Sequence, residues 1–262
     1  MCKQQASMKS YAKVNIFLKI AGKRDSYHEL VSRFVRVKNL YDIVEFQEGD
    51  FDTFTLEGNF GCTTKQNTIY KAYLELIKIS NKVEDFFRKN KVIVEKSIPE
   101  FAGLGGGSSN CATFMIMVNN LCSLNLSKDQ LAEIGAKIGA DVPFFIYEYD
   151  SANVTGIGEI VKKFDEPLLD IQTFTPKVQC NTGAIFKEFR DKYYKEISQE
   201  QSQKLLNMTS LDVLNSLEIQ EANDLYLPVV SLYKELKPST YNLADKSTFF
   251  SGSGSSFFYI QK

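Results

Sequence analysis

The chain has few of the side chains that usually form metal sites or disulfides. His28 is the single histidine in 262 residues, which leaves almost no material for a histidine-based metal site or a Ser-His-Asp triad. The cysteines form an odd, scattered set without a Cys-x-x-Cys pair: Cys2, Cys62, Cys111, Cys122 and Cys180. This pattern argues against a disulfide framework and against structural zinc. We therefore expect reduced thiols in the core or at the surface.

The chain also lacks surplus charge and long apolar runs. Its 31 basic and 32 acidic residues leave a net charge of -1, so there is no electrostatic footprint for nucleic acid. The first ten residues have no apolar core of signal-peptide length, and no segment approaches the ~20 apolar residues of a membrane span. We expect a cytoplasmic protein that binds neither nucleic acid nor membrane, in which any phosphorylated ligand is bound by local groups.

The length indicates one large domain or two smaller ones. With 262 residues and 44% hydrophobic content, the chain can bury a large core. The texture of the sequence changes after Asp150, and a second glycine-containing turn follows at residues 156–159. We predict a boundary near residue 155, with an N-terminal ATP-binding domain over 1–155 and a C-terminal domain over 156–262.

A glycine-dense segment stands out at residues 99–112, PEFAGLGGGSSNCA. It lies between a predicted strand at 91–96 and a predicted, almost wholly apolar helix at 111–124. Its glycines can adopt positive φ and let an anion approach the backbone, and Ser108, Ser109 and Asn110 occupy positions typical of a helix cap and first turn. Since free N–H groups at a helix N-terminus bind anions, the segment predicts a phosphate cradle.

The alternative is a glycine-rich loop that merely turns the chain. The segment is not a Walker A motif, because no Gly-Lys-Ser/Thr follows the glycines. It also fits the dinucleotide fingerprint poorly, since no clear acidic residue closes a second strand about 20 residues later. If the loop binds phosphate, another nucleotide-binding architecture is implied.

Residues 11–20 alternate as a strand with two distinct faces. Ala12, Val14, Ile16, Leu18 and Ile20 share the predicted core face. The opposite face carries Lys13 and Asn15, which are either ordinary solvated residues or an amine and an amide presented to a site. A polar loop is predicted at 22–29, followed by strands at 30–37, 41–46 and 51–56 that suggest a meander.

Helical patterns follow on both sides of the glycine segment. Residues 67–78 predict a helix capped near Asn67, with a stripe formed by Ile69, Ala72, Tyr73 and Leu76. Residues 127–130 are a plausible cap for a helix at 131–138. Next, the segment GADVPFFI at 139–146 contains Asp141, which is either a turn or capping residue or a catalytic carboxylate.

The second half of the chain predicts helices at 184–194, 203–217 and 225–236. Two aromatic, β-rich pieces then flank SGSGS at 251–255. This last segment either forms a hairpin turn without a further role or brings backbone amides close to a bound phosphate.

Together these segments resemble the motifs of the GHMP small-molecule kinases. The cues occur in family order over nearly the whole chain: AKVNI at 12–16, YHEL at 27–30, GLGGGSSN at 103–110, GADVPFF at 139–145, GIGE at 156–159, NDL at 223–225 and SGSGS at 251–255. Phe101, Ala102 and Cys111 depart from the family pattern and affect the packing of the loop, not the class.

The resemblance implies a two-domain α+β fold. Its N-terminal domain would be like domain 2 of ribosomal protein S5, its C-terminal domain would be ferredoxin-like, and the active site would lie in the cleft between them. The implied reaction is the ATP- and Mg²⁺-dependent phosphorylation of the 2-hydroxyl of 4-diphosphocytidyl-2-C-methyl-D-erythritol, on the methylerythritol phosphate route to isoprenoid precursors. Such a reaction asks the protein chiefly for positioning and charge stabilisation. The enzyme is expected to be a monomer or weak homodimer.

Two alternatives to this reaction remain. One is another GHMP kinase of the homoserine or mevalonate type, against which the adjacent Tyr27 and His28 argue. The other is a non-catalytic sensor on the same fold, against which the retention of Lys13 and Asp141 argues.

The resemblance also assigns roles to individual residues. Lys13 and Asp141 would be the catalytic pair, and Asn15, Tyr27, His28, Thr182 and Phe186 would bind the substrate. In the cytidine site, Tyr27 and Phe186 would lie on the two faces of the base and His28 at its edge. The ATP-binding set would be Asn67, Lys96, Gly103, Leu104, Gly105, Gly106, Gly107, Ser108, Ser109 and Asn110, with Ser108 or Ser109 near Mg²⁺.

Overall fold

The computed structural model describes residues 7–24, 27–243 and 247–261. The chain divides into two compact units, each made of several stretches of sequence. The first unit contains Met1–Ala12, Leu40–Ile98 and Gly106–Glu148, and the second contains Lys13–Asn39, Pro99–Gly105 and Tyr149–Lys262. The boundary near residue 155 stays a prediction.

Two long strands supply residues to both units. These are β1 (Ser7–Arg24) and β2 (Tyr27–Glu48). In the first unit, β3 (Leu56–Gly58) pairs in parallel with β4 (Asn90–Glu95). Strand β4 in turn pairs antiparallel with residues 43–48 of β2. The sheet order in this unit is therefore β3-β4-β2.

The helices of the first unit agree with most of the helices predicted from the sequence. They are α1 (Thr68–Ile77), α2 (Asn81–Phe87), α3 (Gly106–Leu121), α4 (Lys128–Ile138) and α5 (Val142–Tyr147). The Asn67 side chain caps α1 by accepting from the Ile69 N–H at 2.9 Å, and all four residues of the predicted stripe are buried. A capping box of Ser127 and Gln130 begins α4.

Aromatic side chains fill much of the first unit's core. Phe54 stacks on Tyr73 with ring centroids 4.1 Å apart, and Phe87 stacks on Phe114 at 5.5 Å. Phe46 meets Phe87 and Phe114 edge to face, an arrangement that aromatic quadrupoles favour. This cluster holds β2 and the helices of the unit together.

The second unit contains two groups of paired strands and the remaining helices. Strand β5 (Ser151–Thr155) lies between residues 32–35 of β2 and β6 (Ile160–Lys163), antiparallel to both. A separate sheet has the order β7-β9-β8. Its strands and the unit's helices are β7 (Ile171–Phe174), α6 (Thr182–Glu188), α7 (Gln199–Asn207), α8 (Ser210–Ser216), α9 (Ile219–Ala222), α10 (Tyr226–Leu232), β8 (Phe249–Phe250) and β9 (Phe257–Ile260). Over the described ranges, no helix is long and apolar enough to cross a membrane.

Several predicted boundaries are wrong. The two strands expected at 30–37 and 41–46 are one continuous 22-residue strand, β2, because the residues between them contain no glycine or proline and Asn39 is held by a hydrogen bond from Nδ2 to the Ile171 carbonyl at 3.1 Å. Strand residues also extend over most of the loop predicted at 22–29. The strand predicted at 51–56 begins only at Leu56, because Phe54 turns into the aromatic cluster.

Two helices also differ from the prediction. Helix α3 begins at Gly106, inside the glycine segment, so Ser108, Ser109 and Asn110 are helical residues and none of them is the cap. The helix predicted at 203–217 is divided into α7 and α8, since Thr209 starts a new helix by accepting from the Asp212 N–H.

The cysteines covered by the structure are unpaired thiols. Cys111, Cys122 and Cys180 are buried and Cys62 is exposed. Burial raises the pKa of the Cys180 thiol to about 12 and that of Cys122 to about 11. The buried thiols therefore remain protonated and behave as core residues.

A fully buried arginine fixes the connection between α7 and α8 against β5. The Arg33 guanidinium donates to the carbonyls of Leu206 and Met208 at 2.9 and 3.0 Å and to Asn153 Oδ1 at 2.7 Å. It lies 3.4 Å from the Phe164 ring centroid and 3.6 Å from the Glu166 carboxylate. Burial lowers the pKa of Arg33 to about 10, which still leaves it charged at neutral pH.

Replacing Arg33 by Met should lower the free energy of unfolding by about 3–5 kcal/mol, because it leaves a buried carboxylate without its opposite charge and two carbonyls without their donor. Urea unfolding followed by circular dichroism measures the change. Arg24→Met is the matched control, since Arg24 pairs with Glu29 and Glu159 but is 44% exposed. Its loss should be much smaller, because exposed ion pairs contribute little to stability, and equal losses for the two variants would contradict the account of Arg33.

Candidate functional site

In the first unit, the N-termini of two helices lie together. Helix α3 begins at Gly106, where a Cβ atom would lie 2.9 Å from Ile98 Cγ2 and 3.4 Å from Lys96 Nζ. The Thr68 hydroxyl, in the first turn of α1, donates to the Gly107 carbonyl at 2.7 Å. Helix N-termini carry unpaired N–H groups and partial positive charge. This region of the first unit is therefore suited to an anion.

A buried carboxylate organises the side chains beside the start of α3. Asp42 is fully buried and accepts from the N–H groups of Ser97 and Ile98 at 2.7 and 2.8 Å. It also accepts from Lys96 Nζ at 2.5 Å and Asn110 Nδ2 at 2.9 Å. Lys96 Nζ donates in addition to Asn110 Oδ1 at 3.1 Å. The structure thus brings together two predicted ATP-binding residues, Lys96 and Asn110.

The same network separates the roles available to the two adjacent serines. Asn110 Nδ2 donates to Ser10 Oγ at 2.9 Å, and Ser10 Oγ donates to Ser109 Oγ at 2.8 Å. Ser109 is 1% exposed, so its hydroxyl belongs to the buried network. Ser108 is half-buried, and its Oγ lies 3.6 Å from the Cβ position of Gly139. Ser108 is the more accessible of the two hydroxyls.

Asp141 stands directly before α5. It occupies the N-cap position with φ −81° and ψ −11°, and its side chain accepts no capping hydrogen bond from the helix. The carboxylate is half-buried. Asp141 is therefore not a helix cap, but it lies in the turn at residues 140–141, so the alternative of a turn residue stays open.

In the second unit, Lys13 and Asn15 are buried. The expectation of a solvated strand face is wrong for both, since they are 3% and 2% exposed. Lys13 Nζ donates to Asn15 Oδ1 at 2.7 Å and lies 4.3 Å from the Phe34 ring centroid. Asn15 Nδ2 donates to Ser32 Oγ at 3.0 Å. Because a buried ammonium is costly unless it is paired, this position needs a specific polar environment.

The SGSGS segment packs directly on the residues that precede α3. Strands β8 and β9 form the expected antiparallel hairpin. In the turn, Ser251 Oγ donates to the Gly103 carbonyl at 2.9 Å and accepts from the Asn15 N–H at 3.3 Å. A Cβ at Gly103, whose φ is +74°, would lie 2.1 Å from the Ser251 carbonyl oxygen. The two glycine-rich segments meet backbone to backbone.

Asn223 holds this turn from the other side. Its Nδ2 donates to the carbonyls of Phe250 and Gly252 at 3.0 and 2.9 Å, and its Oδ1 accepts from the Leu225 N–H at 2.9 Å. Asn223 is 1% exposed. The NDL segment that serves as a family cue is therefore a brace for the Ser251–Gly252 turn.

His28 lies in an aromatic environment within the second unit. Its ring stacks on Phe186 at 5.2 Å and meets Phe189 edge to face at 5.7 Å. Nε2 is buried without a hydrogen-bond partner among the described residues. Burial lowers the pKa of His28, and the charges of Arg190 and Lys23 act in the same direction, so the imidazole is neutral at pH 7. The side chain of Tyr27 lies outside the described residues.

The structure distributes the predicted site residues between the units. Asn67, Lys96, Gly106, Gly107, Ser108, Ser109, Asn110 and Asp141 belong to the first, and Lys13, Asn15, His28, Gly103, Leu104, Gly105, Thr182 and Phe186 to the second. Thr182 Oγ1 shares a 2.8 Å hydrogen bond with Ser253 Oγ. Asn67 uses its Oδ1 as the cap of α1.

Sequence reasoning missed Asp42, Ser10 and Asn223. A signal existed for Asp42, which alternates with Val44 and Phe46 on one face of a predicted strand. Both neighbours are buried, and a carboxylate on such a face must find donors.

These features define a GHMP kinase. Residues 67–149 match the family model of the GHMP kinases N terminal domain. A solved 4-(cytidine 5'-diphospho)-2C-methyl-D-erythritol kinase superposes with a TM-score of 0.76 at 26% identity, covering 98% of this chain and 90% of its own. The mevalonate kinase of Methanococcus jannaschii shares the fold alone, with a TM-score of 0.60 at 14% identity, covering 100% of this chain and 92% of its own. The α+β GHMP kinase fold is confirmed.

Comparison with curated relatives identifies the family within the GHMP kinases to which the chain belongs. A Sulfurimonas denitrificans protein named 4-diphosphocytidyl-2-C-methyl-D-erythritol kinase is 48% identical over 260 residues, covering 97% of this chain and 96% of its own. A Campylobacter jejuni protein of the same name is 36% identical over 261 residues, covering 97% and 100%. The chain belongs to the 4-diphosphocytidyl-2-C-methyl-D-erythritol kinase family, which confirms the resemblance read from its motifs.

Gly103→Ala should lower the free energy of unfolding by more than about 2 kcal/mol, because the methyl group would overlap the Ser251 carbonyl and the residue would remain at positive φ. Gly107→Ala is the control from the same segment. The nearest neighbour of its added Cβ would be Thr68 Oγ1, at 3.8 Å. Chemical denaturation of both variants measures the difference, and a Gly103→Ala protein as stable as Gly107→Ala would refute the close backbone contact.

Proposed function

We propose that this chain transfers the γ-phosphoryl group of ATP to the 2-hydroxyl of 4-diphosphocytidyl-2-C-methyl-D-erythritol. The observation that carries the proposal is the anion-binding arrangement at the start of α3, in a chain whose relatives bear the name of this kinase. Glycine at position 106 lets the start of the helix pack beside the Lys96 ammonium. Such a terminus favours phosphate through its N–H groups and its dipole.

The ATP phosphates are proposed to bind the segment from Gly103 to Asn110, with Asn67 and Lys96 as further nucleotide contacts. When bound, Mg²⁺ would neutralise charge that develops on the phosphates. Ser108 is the better candidate for a hydroxyl ligand, since Ser109 is buried and bonded to Ser10. Thr68 and Asp42 support this region by holding Gly107 and Asn110.

The cytidine end of the substrate is proposed to bind Tyr27, His28 and Phe186, with Asn15 and Thr182 as further contacts. An aromatic face gains stacking energy from a base, while hydrogen bonds at the base edge select which base is accepted. The unpartnered Nε2 of His28 supports the edge role. Because His28 already stacks on Phe186, binding between the faces of Tyr27 and Phe186 requires the His28 ring to share or leave that position.

His28→Ala should raise the KM for the cytidine substrate and weaken its selection over the uridine analogue. In the wild-type enzyme, the neutral imidazole can accept from the cytosine 4-amino group, and protonation abolishes that acceptor. The pKa of His28 lies below its ordinary 6.5, so the wild-type KM should be level at pH 6.5 and above and should rise only at lower pH, where the imidazole becomes protonated.

Steady-state kinetics with both nucleotide analogues between pH 5 and 8 test this assignment. The His28→Ala variant is the control for the pH effect, since it removes the one histidine of the chain. An unchanged KM and base preference in this variant would assign His28 a structural role only.

Lys13 and Asp141 are proposed to act on the substrate hydroxyl. Asp141 would accept or orient its proton, and Lys13 would offset negative charge as the phosphoryl group moves. The burial of Lys13 supports a functional position for that residue, and Asp141 is half-buried directly before α5. Removing the proton and orienting the hydroxyl would require the same two residues.

Asp141→Asn should reduce kcat by about 10²–10⁴-fold, the usual contribution of general-base assistance, with little change in ATP affinity. Lys13→Ala should act similarly, and the double variant should lose much less than the product of the two losses, because groups that act as a unit are not additive. Single-turnover kinetics and nucleotide titration measure these effects. Near-normal turnover by folded Asp141→Asn enzyme would end the base assignment.

The overall reaction is tested with purified enzyme, ATP and Mg²⁺. Mass spectrometry should show one phosphate added to 4-diphosphocytidyl-2-C-methyl-D-erythritol. Homoserine and mevalonate should not be phosphorylated at a comparable rate. Preference for homoserine or mevalonate would assign the enzyme to another branch of the fold. Nucleotide binding without transfer to any of the three would favour a sensor.

A further inference from the structure

We propose that Asp42 is a positioning residue for the nucleotide, which holds the Lys96 ammonium and the Asn110 amide in their binding positions before ATP arrives. This inference rests on the proposed binding of ATP phosphates at the start of α3. It assigns a functional role to a fully buried carboxylate on β2 that no family motif in the sequence marks.

The two oxygens of Asp42 have different partners. Oδ1 accepts from the main-chain N–H groups of Ser97 and Ile98, immediately after β4. Oδ2 accepts from the side chains of Lys96 and Asn110. One oxygen thus fixes the carboxylate to the backbone, and the other holds the two side chains in place.

The positive charge at the start of α3 explains why a carboxylate is needed beside Lys96. Lys96 Nζ lies 3.4 Å from the Cβ position of Gly106, the first residue of α3. An ammonium beside the positive end of a helix is unfavourable unless negative charge is present. Asp42 supplies that charge in the nucleotide-free enzyme, so the flexible lysine side chain is already ordered when the phosphates bind. Ordering a group in advance improves affinity because the ordering cost is not met on binding.

Stability alone is a weaker reason for this ion pair. Apolar groups of similar volume often replace a buried ion pair without loss of stability. The second unit contains a purely structural pair for comparison, Arg33 and Glu166. Glu166 accepts from Ser151 Oγ at 2.5 Å and from the N–H and Oγ of Ser210 at 2.6 Å each. It is a buried carboxylate with several donors, but none of its partners is a proposed ligand contact.

The experiment compares Asp42→Asn with Glu166→Gln in the full chain. Calorimetric titration gives the Kd for ADP, and steady-state kinetics give kcat and the KM for each substrate. Asp42→Asn should weaken ADP binding and raise the KM for ATP about tenfold, with a smaller change in kcat and no change in the KM for the cytidine substrate. Glu166→Gln should lower thermal stability and leave the Kd for ADP within about twofold of the wild-type value.

A double-mutant cycle shows whether Asp42 acts through Lys96. In a Lys96→Met background, Asp42→Asn should change the Kd for ADP by less than about twofold, because the group that it positions is gone. The double variant also removes both charges of the pair and is therefore the variant best suited to fold.

Several results would overturn the proposal. They are an unchanged or tighter ADP Kd in Asp42→Asn, an equal effect of Glu166→Gln, or a full tenfold effect that persists in the Lys96→Met background. If Asp42→Asn is insoluble, ¹⁵N NMR of the wild-type Lys96 ammonium replaces it. A protected signal that shifts on addition of ADP is expected, and an absent or unresponsive signal would refute the positioning role.

The nucleotide titration separates this inference from the proposed reaction. If the wild-type enzyme binds ADP but does not phosphorylate the cytidine substrate, the proposed reaction fails and the role of Asp42 is still decided by the ADP Kd values. If the wild-type enzyme transfers phosphate and Asp42→Asn binds ADP normally, the reaction stands and the positioning role fails.

Discussion

The burial of charged side chains on two long strands is the constraint on which the rest of the structure depends. Lys13 on β1 and Arg33 and Asp42 on β2 are each almost completely removed from solvent. A buried charge is tolerated when hydrogen bonds and opposite charge replace its hydration. The partners of Arg33 come from β5 and the α7–α8 segment, and those of Asp42 from the end of β4 and the start of α3. Each unit is therefore assembled around polar groups as well as around its apolar core.

The fold also requires two backbone segments to approach each other closely, and glycine makes this approach possible. At Gly103 the chain passes so near the Ser251 carbonyl that no Cβ fits, and at Gly106 the space is taken by Ile98 and Lys96. The first contact shapes the loop before α3, and the second packs the first residue of the helix against Ile98 and Lys96. Gly107, the next residue, is exposed, so the triple glycine combines close packing with an exposed helix start, which explains why a cluster is needed where a simple turn would use one.

Much of the fold and part of the candidate site could be predicted from local patterns. The α1 stripe, the Ser127 and Gln130 cap and β4 agree with the sequence because their signals are local: helical periodicity, capping chemistry and β-branched residues. The continuity of β2 and the burial of Lys13 could not be predicted, since they depend on distant partners such as Ile171 and Leu104. Asp42 escaped notice because single-sequence alternation shows which face a side chain occupies and cannot show which donors lie opposite it.

The polar groups assigned to ligands are mostly engaged already by the protein. Lys96 is bonded to Asp42, Lys13 to Asn15, and Thr182 to Ser253. Ligand binding at such groups adds to or exchanges existing hydrogen bonds, so affinity depends on the difference between two sets of contacts. His28 differs, because its Nε2 is buried and has no partner within the described ranges. A group in that state gains a whole hydrogen bond when a matching base edge arrives and loses it when the base is wrong, which is the physical basis of strong discrimination.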